Sequence, residues 1–152
     1  MGSSIDIHDQ QERLDVKGSS LAGSSFDDVN MSNARFNNAN LSVMSVNHAN
    51  LTNMRIDDSN LSNARFDDVN LSAASFANAM LAGVRFECTN LSNVRFTDAN
   101  LTGARFEDVN MSNVSIDNAQ LTGMKINDVL VSDLFAAYEA QNVPDVKKTQ
   151  ND

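Results

Sequence analysis

The chain is predicted to be all-β, a four-sided parallel solenoid, because three patterns in it coincide. Starting at Leu21, every fifth residue through Val131 is large and apolar, twenty-three positions without exception. Two residues before most of these centres stands a smaller or slender residue, as at Ala34, Ala64, Val69, Ala74, Val84 and Ala104. Leucine-type centres also alternate with phenylalanine-type centres every ten residues.

A spacing of five suits neither a helix face, which repeats at three and four, nor a plain strand, which repeats at two. A solenoid accounts for it. The small residue and the large one two later alternate inward as in a short strand, the other residues turn a corner, and four units close a coil. Such a coil holds eight of every twenty side chains inside, and the apolar content of 41% matches that share and leaves nothing for a second core. One domain is therefore expected from the 152 residues.

The elements follow in order. Residues 1–13 are assigned to an N-terminal cap or partly disordered segment: Ile5 and Ile7, like Leu14 and Val16 after them, are apolar among polar neighbours. Its opening Met-Gly-Ser-Ser reads as a partial cloning remnant. Val16 is already in phase, so the solenoid is placed at 14–133. Leu134, Phe135, Ala136, Ala137, Tyr138 and Ala140 leave the register and have helical spacing, which predicts a short helix over 134–141 lying across the last coil. A parallel stack needs such a cap over its unpaired edge. Residues 142–152 are polar, hold the only proline, Pro144, and are expected to be mobile.

Quoted as they stand, "ANLSN", "ARFDD", "VNLSA", "VRFTD", "ANLTG" and "ARFED" resemble the units of the pentapeptide-repeat family, over about Ser19 to Asp133. The resemblance implies a right-handed quadrilateral parallel β-helix of about six coils with a short C-terminal capping helix. It also implies a partner class. Some members bind DNA gyrase or topoisomerase IV, are thought to do so by imitating duplex DNA, and give resistance to quinolones or related toxins. In related proteins a C-terminal helix can form a homodimer contact, which here would fall on Leu134, Phe135 and Tyr138.

The outward residues sort by face. Between Leu21 and Phe135, thirteen Asp and Glu face seven Lys and Arg, and all but Asp133 flank a Phe-type centre. The more acidic face carries Asp27, Asp28, Asp67, Asp68, Glu87, Glu107, Asp108 and Asp128 against Arg65, Arg85, Arg105 and Lys125, a net −4. Its opposite carries Asp57, Asp58, Asp98 and Asp117 against Arg35, Arg55 and Arg95, a net −1. An arginine column between acidic columns relieves like-charge repulsion, so one reading is a self-compensating solvated surface. The other is an acidic docking face. Charge density does not identify a DNA mimic: the rod is roughly 28 Å long, and duplex DNA of that length carries about 16 negative charges. The repeat segment nets only −6. Its register also has no inserted loop, unlike several gyrase-directed members.

The Leu-type faces are uncharged. Columns such as Asn30, Asn50, Asn70, Asn90 and Asn110, beside Ser and Thr, are expected to share hydrogen bonds between coils, a structural role.

A net charge of −9 makes nucleic acid and anionic membrane poor partners. One cysteine allows no intramolecular disulfide, which suits a reducing compartment, and no stretch has the length of a membrane span, so a cytoplasmic protein is expected. No catalytic constellation stands out. His8 and His48 are the only histidines, and His48 and Cys88 fall in one outward column, two coils apart, nearly 10 Å and too far to share an ion. No metal, cofactor or enzyme activity is assigned. The reading is a non-catalytic protein-binding scaffold, with topoisomerase binding through the acidic face as the narrower alternative.

Overall fold

A computed structural model describes residues 14–142. Strands, numbered in chain order, recur every ten residues on two opposite sides of a square coil. They are β1 (Asp15–Lys17), β2 (Ser25–Asp27), β3 (Arg35–Asn37), β4 (Ser45–Asn47), β5 (Arg55–Asp57), β6 (Arg65–Asp67) and β7 (Ser75–Ala77), followed by β8 (Arg85–Glu87), β9 (Arg95–Thr97), β10 (Arg105–Glu107), β11 (Ser115–Asp117), β12 (Lys125–Ile126) and β13 (Val129–Leu130). Odd strands β1 to β11 form one parallel sheet and even strands β2 to β12 the other, with β13 added at the end. Register is kept at a twenty-residue offset, so Phe66 pairs with Phe86 and Phe86 with Phe106. The remaining two sides are held by single bridges, such as Asn30 to Asn50 and Asn40 to Asn60. The result is a parallel β-solenoid of about six coils.

The centres and the residues two before them fill the inside. Phe66, Phe76, Phe86, Phe96 and Phe106 are fully buried, as are Leu41, Leu51, Leu61, Leu71, Leu81, Leu91 and Leu101. Rings on one side stack between coils, Phe66 on Phe86 at 5.1 Å and Phe76 on Phe96 at 5.0 Å. Across the coil they meet edge to face, Phe86 to Phe96 at 6.2 Å. Where the centre shrinks to Val46, Ile56 or Ile126, the position two before grows to Met44, Met54 or Met124, each almost fully buried. Beside Phe66, Phe76 and Phe106 it is Ala64, Ala74 and Ala104. Large and small residues thus exchange places within one unit, which keeps the filled volume level along the rod.

Among the described residues two polar side chains are buried at inward positions, and both are satisfied. Ser59 Oγ accepts from Ala39 N–H at 3.1 Å and donates to the Asp57 carbonyl at 2.8 Å. Thr89 Oγ1 donates to the Glu87 carbonyl at 2.8 Å.

Corners demand a left-handed residue in every unit. Asp28, Asp68, Asp108, Asn33, Asn53 and Asn93 supply it with φ between 51° and 62°. Asn and Asp tolerate that region better than other side chains. Val43, at φ 58°, is a β-branched exception.

The Asn columns work differently from the expected bonding between coils. Oδ1 of Asn30, Asn50, Asn70 and Asn90 accepts the backbone N–H two residues on, within its own unit, at 3.1 to 3.2 Å. Between coils, side chains of this face meet only at Asn110 to Asn90, Asn113 to Asn93 and Thr52 to Ser72 among the described residues. Each Asn therefore sets its own turn.

The C-terminal end also departs from expectation. β12 does not lead into another solenoid side but turns back through Asn127 and Asp128, both at positive φ, and pairs antiparallel with β13. Two such residues suit the tight turn of a hairpin. The helix α1 then spans Val131–Asn142, beginning three residues before the predicted 134 and ending one after 141. Val131, expected as the last solenoid centre, is its first residue and the only buried one. Leu134, Phe135 and Tyr138 are 47%, 55% and 67% exposed, so the helix that ends the solenoid leaves these three apolar side chains open to solvent. Met111, Ile116, Leu121 and Ile126 accordingly stay half-buried at that end. The proposed cap at 1–13 and tail from 143 lie outside the described residues.

Candidate functional site

The acidic face is carried by the even strands, which hold their third residue outward in one column and the following corner residue in a second. The first column runs Asp27, Asn47, Asp67, Glu87 and Glu107 in register. The second runs Asp28, His48, Asp68, Cys88 and Asp108, each at φ 48° to 55°, and the hairpin turn adds Asp128. All eight predicted carboxylates project from the surface: Glu87 and Glu107 are half-buried and the other six exposed. They do not converge on a pocket. A wall of carboxylates forms instead, with no polar core behind it.

The first residue of each even strand makes a cation column beside them, Arg65, Arg85, Arg105 and Lys125 in register. The arginines make no ion pair with the acids beside them among the described residues. Among the described residues, ion pairs join Lys17 to Asp15, Lys125 to Asp128, and His48 to Asp27 and Asp68, and no arginine takes part. Two residues along a strand the outward side chains lie on one side, about 6.6 Å apart at the backbone. Each carries its charge toward solvent, and the face is a basic stripe parallel to an acidic one.

His48 interrupts the acidic column and bridges it. Its Nδ1 lies 3.1 Å from Asp27 Oδ1 and its Nε2 lies 3.8 Å from Asp68 Oδ2, so one imidazole links two acids on the coils either side. The hydrogen bond to Asp27, with the charges of Asp27, Asp68 and Asp67 behind it, raises the His48 pKa above 6.5. The sequence places His48 in an outward column without marking it as a partner of any acid. Its position among corner aspartates one coil apart was the signal for a bridge.

Cys88, a free exposed thiol, sits in the same column two coils from His48. Desolvation first, and then the charges of Asp108, Asp67, Glu87 and Asp68, push its pKa up, which disfavours the thiolate. Asp128 is lowered by the 2.9 Å hydrogen bond from Lys125 and by that cation's charge. No group of three or more His, Cys, Asp or Glu among the described residues is placed to hold a metal ion. No described helix is long and apolar enough to cross a membrane.

A square parallel solenoid with a five-residue unit and columns of outward polar residues defines a repeat-protein class. The pentapeptide repeat region model matches residues 16–86 and 59–135, and the chain belongs to the pentapeptide-repeat family. Among solved structures it is similar to the pentapeptide repeat protein Rfr23 from the cyanobacterium Cyanothece 51142, at 20% identity with a TM-score of 0.67, over 74% of this chain and 88% of that one. It also matches AT2G44920, a pentapeptide repeat protein from the Arabidopsis thaliana thylakoid lumen, at 25% identity and a TM-score of 0.26, over 89% and 83%. A third match is QnrB1, a plasmid-mediated fluoroquinolone resistance protein, at 12% identity and a TM-score of 0.22, over 87% and 98%. No curated protein matches the chain by sequence. The likeness to Rfr23 bears on the fold.

Proposed function

We propose that this protein is a non-catalytic, cytoplasmic scaffold that binds another protein through the face of the even strands. One observation carries the reading: Arg65, Arg85 and Arg105 stand in register beside Asp67, Glu87 and Glu107, yet among the described residues none of the three is ion-paired. Two charged stripes left open to solvent on a rigid support favour a partner with the opposite pattern, and such complementarity governs orientation and association rate more than affinity. The test is capture of partners from the native host with the parent and with a charge-reversed variant at Asp67, Asp68, Glu107 and Asp108. Binding through this face requires that partners held by the parent be lost by the variant. An unchanged set of partners overturns it.

The narrower reading is binding of DNA gyrase or topoisomerase IV as a DNA mimic. It is supported by the family resemblance and by the projecting carboxylates of Asp27, Asp28, Asp67, Asp68, Glu87, Glu107, Asp108 and Asp128. A supercoiling assay with and without a quinolone decides it: protection of gyrase, or inhibition by the protein alone, is expected, and no effect eliminates it.

A homodimer through α1 accompanies either reading, supported by the exposure of Leu134, Phe135 and Tyr138 beside the half-buried last coil. Light scattering of the parent against Phe135→Asp tests it, with a monomeric variant and a dimeric parent as the expected result.

A further inference from the structure

The opposite face carries an open groove of about 430 Å³ lined by Asn33, Arg35, Asn53, Arg55 and Ala73. We propose that this groove binds a phosphate group, as the free ion or as a small phosphate monoester, between the guanidinium groups of Arg35 and Arg55.

The two arginines are register partners on β3 and β5. Strand spacing places them about 4.8 Å apart at the backbone, and like charges on neighbouring rungs repel. Neither guanidinium has an ion pair or a hydrogen bond among the described residues. The carboxamides of Asn33 and Asn53, left-handed corner residues at φ 62° and 59°, likewise make no hydrogen bond there. Four groups that can donate therefore line one groove with no partner of their own.

The same column shows why the groove opens at this point. On the next coil the corner residue is Ala73 and the strand begins with Ser75, register partner of Arg55, so two long side chains are replaced by two short ones. Below Arg35 the rung is Asp15, which pairs with Lys17 at 3.6 Å. Asn37 and Asn38 follow Arg35 on its strand where the acidic face places carboxylates, while Asp57 and Asp58 follow Arg55 as Asp67 and Asp68 follow Arg65, so one of the two rungs is free of an acid at these positions. The longer ladder of Arg65, Arg85 and Arg105 has Asp67, Glu87 and Glu107 beside every rung, which repel an anion.

Phosphate suits these donors. The guanidinium fork matches two oxygens of a phosphate, and a dianion balances two guanidiniums where a single carboxylate leaves one charge over. The remaining oxygens face carboxamide N–H donors.

Calorimetric titration of the full chain with inorganic phosphate, and separately with phenyl phosphate, tests the site at constant ionic strength set with chloride. Saturable one-to-one binding is expected, weakened roughly tenfold or more in R35Q/R55Q and kept in R85Q/R105Q, since charge-assisted bonds are the strong ones. Saturation by phenyl phosphate identifies a monoester as an accepted ligand, and saturation by inorganic phosphate alone assigns the free ion. Absence of saturation with both ligands overturns the proposal. So does equal weakening in the two double variants, which marks general charge attraction instead of a site. Amide shifts in NMR on adding phosphate give a second reading: they are expected at Asn33, Arg35, Asn53 and Arg55, and shifts confined to other coils overturn the assignment.

Discussion

Phe86 lies flat on Phe66, ring centroids 5.1 Å apart and planes inclined by 13°. It stacks equally on Phe106 at 5.0 Å and meets Phe76 and Phe96 edge-on at 6.4 and 6.2 Å, which makes it the hub of the aromatic column. Truncation to Ala removes four ring contacts in a rod whose neighbours cannot close the gap. Phe86→Ala is expected to cost about 3 to 5 kcal/mol in denaturant unfolding, and Phe26→Ala, at the half-buried first coils, distinctly less. Equal effects at both sites would contradict a core graded from middle to end.

Met54 and Ile56 share the volume that Ala64 and Phe66 fill one unit of the same kind later. Met54→Ala alone should cost about 2 to 5 kcal/mol through a cavity. Ile56→Phe alone should cost about 1 to 3 kcal/mol through overpacking. Together they rebuild the Ala-x-Phe unit, so the double variant is expected to be more stable than the sum of the singles. Strict additivity in a double-mutant cycle would show that the two positions do not trade volume.

Val43 holds φ 58° while 61% exposed, so its side chain carries backbone strain without a packing return. Val43→Asn places a residue that suits the left-handed region at that corner. An increase of about 1 kcal/mol in unfolding free energy is expected. A destabilised Val43→Asn protein would place the strain elsewhere.

His48 gives the fold a pH dependence of definite sign. Its folded pKa lies above 6.5, so the contribution is fully present below about that pH and is lost as pH rises through the raised folded value. The melting temperature of the parent should therefore fall, relative to His48→Asn, as pH is raised from below 6.5 into the alkaline range. Asp27→Asn should weaken the same dependence, since Asp27 is the first cause of the shift. Parallel pH profiles for parent and His48→Asn would remove the bridge.

Much of this molecule could be read before any coordinates. Leu21 to Ile126 in steps of five supplied the inward register, and the exchange of Ala34-x-Phe36 for Met44-x-Val46 and Met54-x-Ile56 is visible in the letters once the unit is known. The membership of Asp27, Asp67, Glu87 and Glu107 in one column followed from the same count. The hairpin of β12 and β13 did not, because Asn127-Asp128 looks like Asp57-Asp58 or Asp67-Asp68, where the coil continues. Leu130 was the available clue: it stands where the other Leu-type units carry Ser, Asn, Gln or Met. The start of α1 and the exposure of Phe135 depended on that reversal.

A repeat of period five dictates its own coil, because each unit meets a near copy of itself twenty residues away and every in-phase apolar side chain gains from the same inward placement. That logic covers the backbone path, the core and the columns. It does not reach the tips of long side chains. Whether Arg85 turns to Glu87 or to water, whether Asn90 bonds within its unit or to the next coil, and whether His48 spans Asp27 and Asp68 are settled by rotamers and by the small differences between neighbouring coils. Those choices involve energies far smaller than the burial of a phenylalanine, so they emerge only when the folded surface sets the distances.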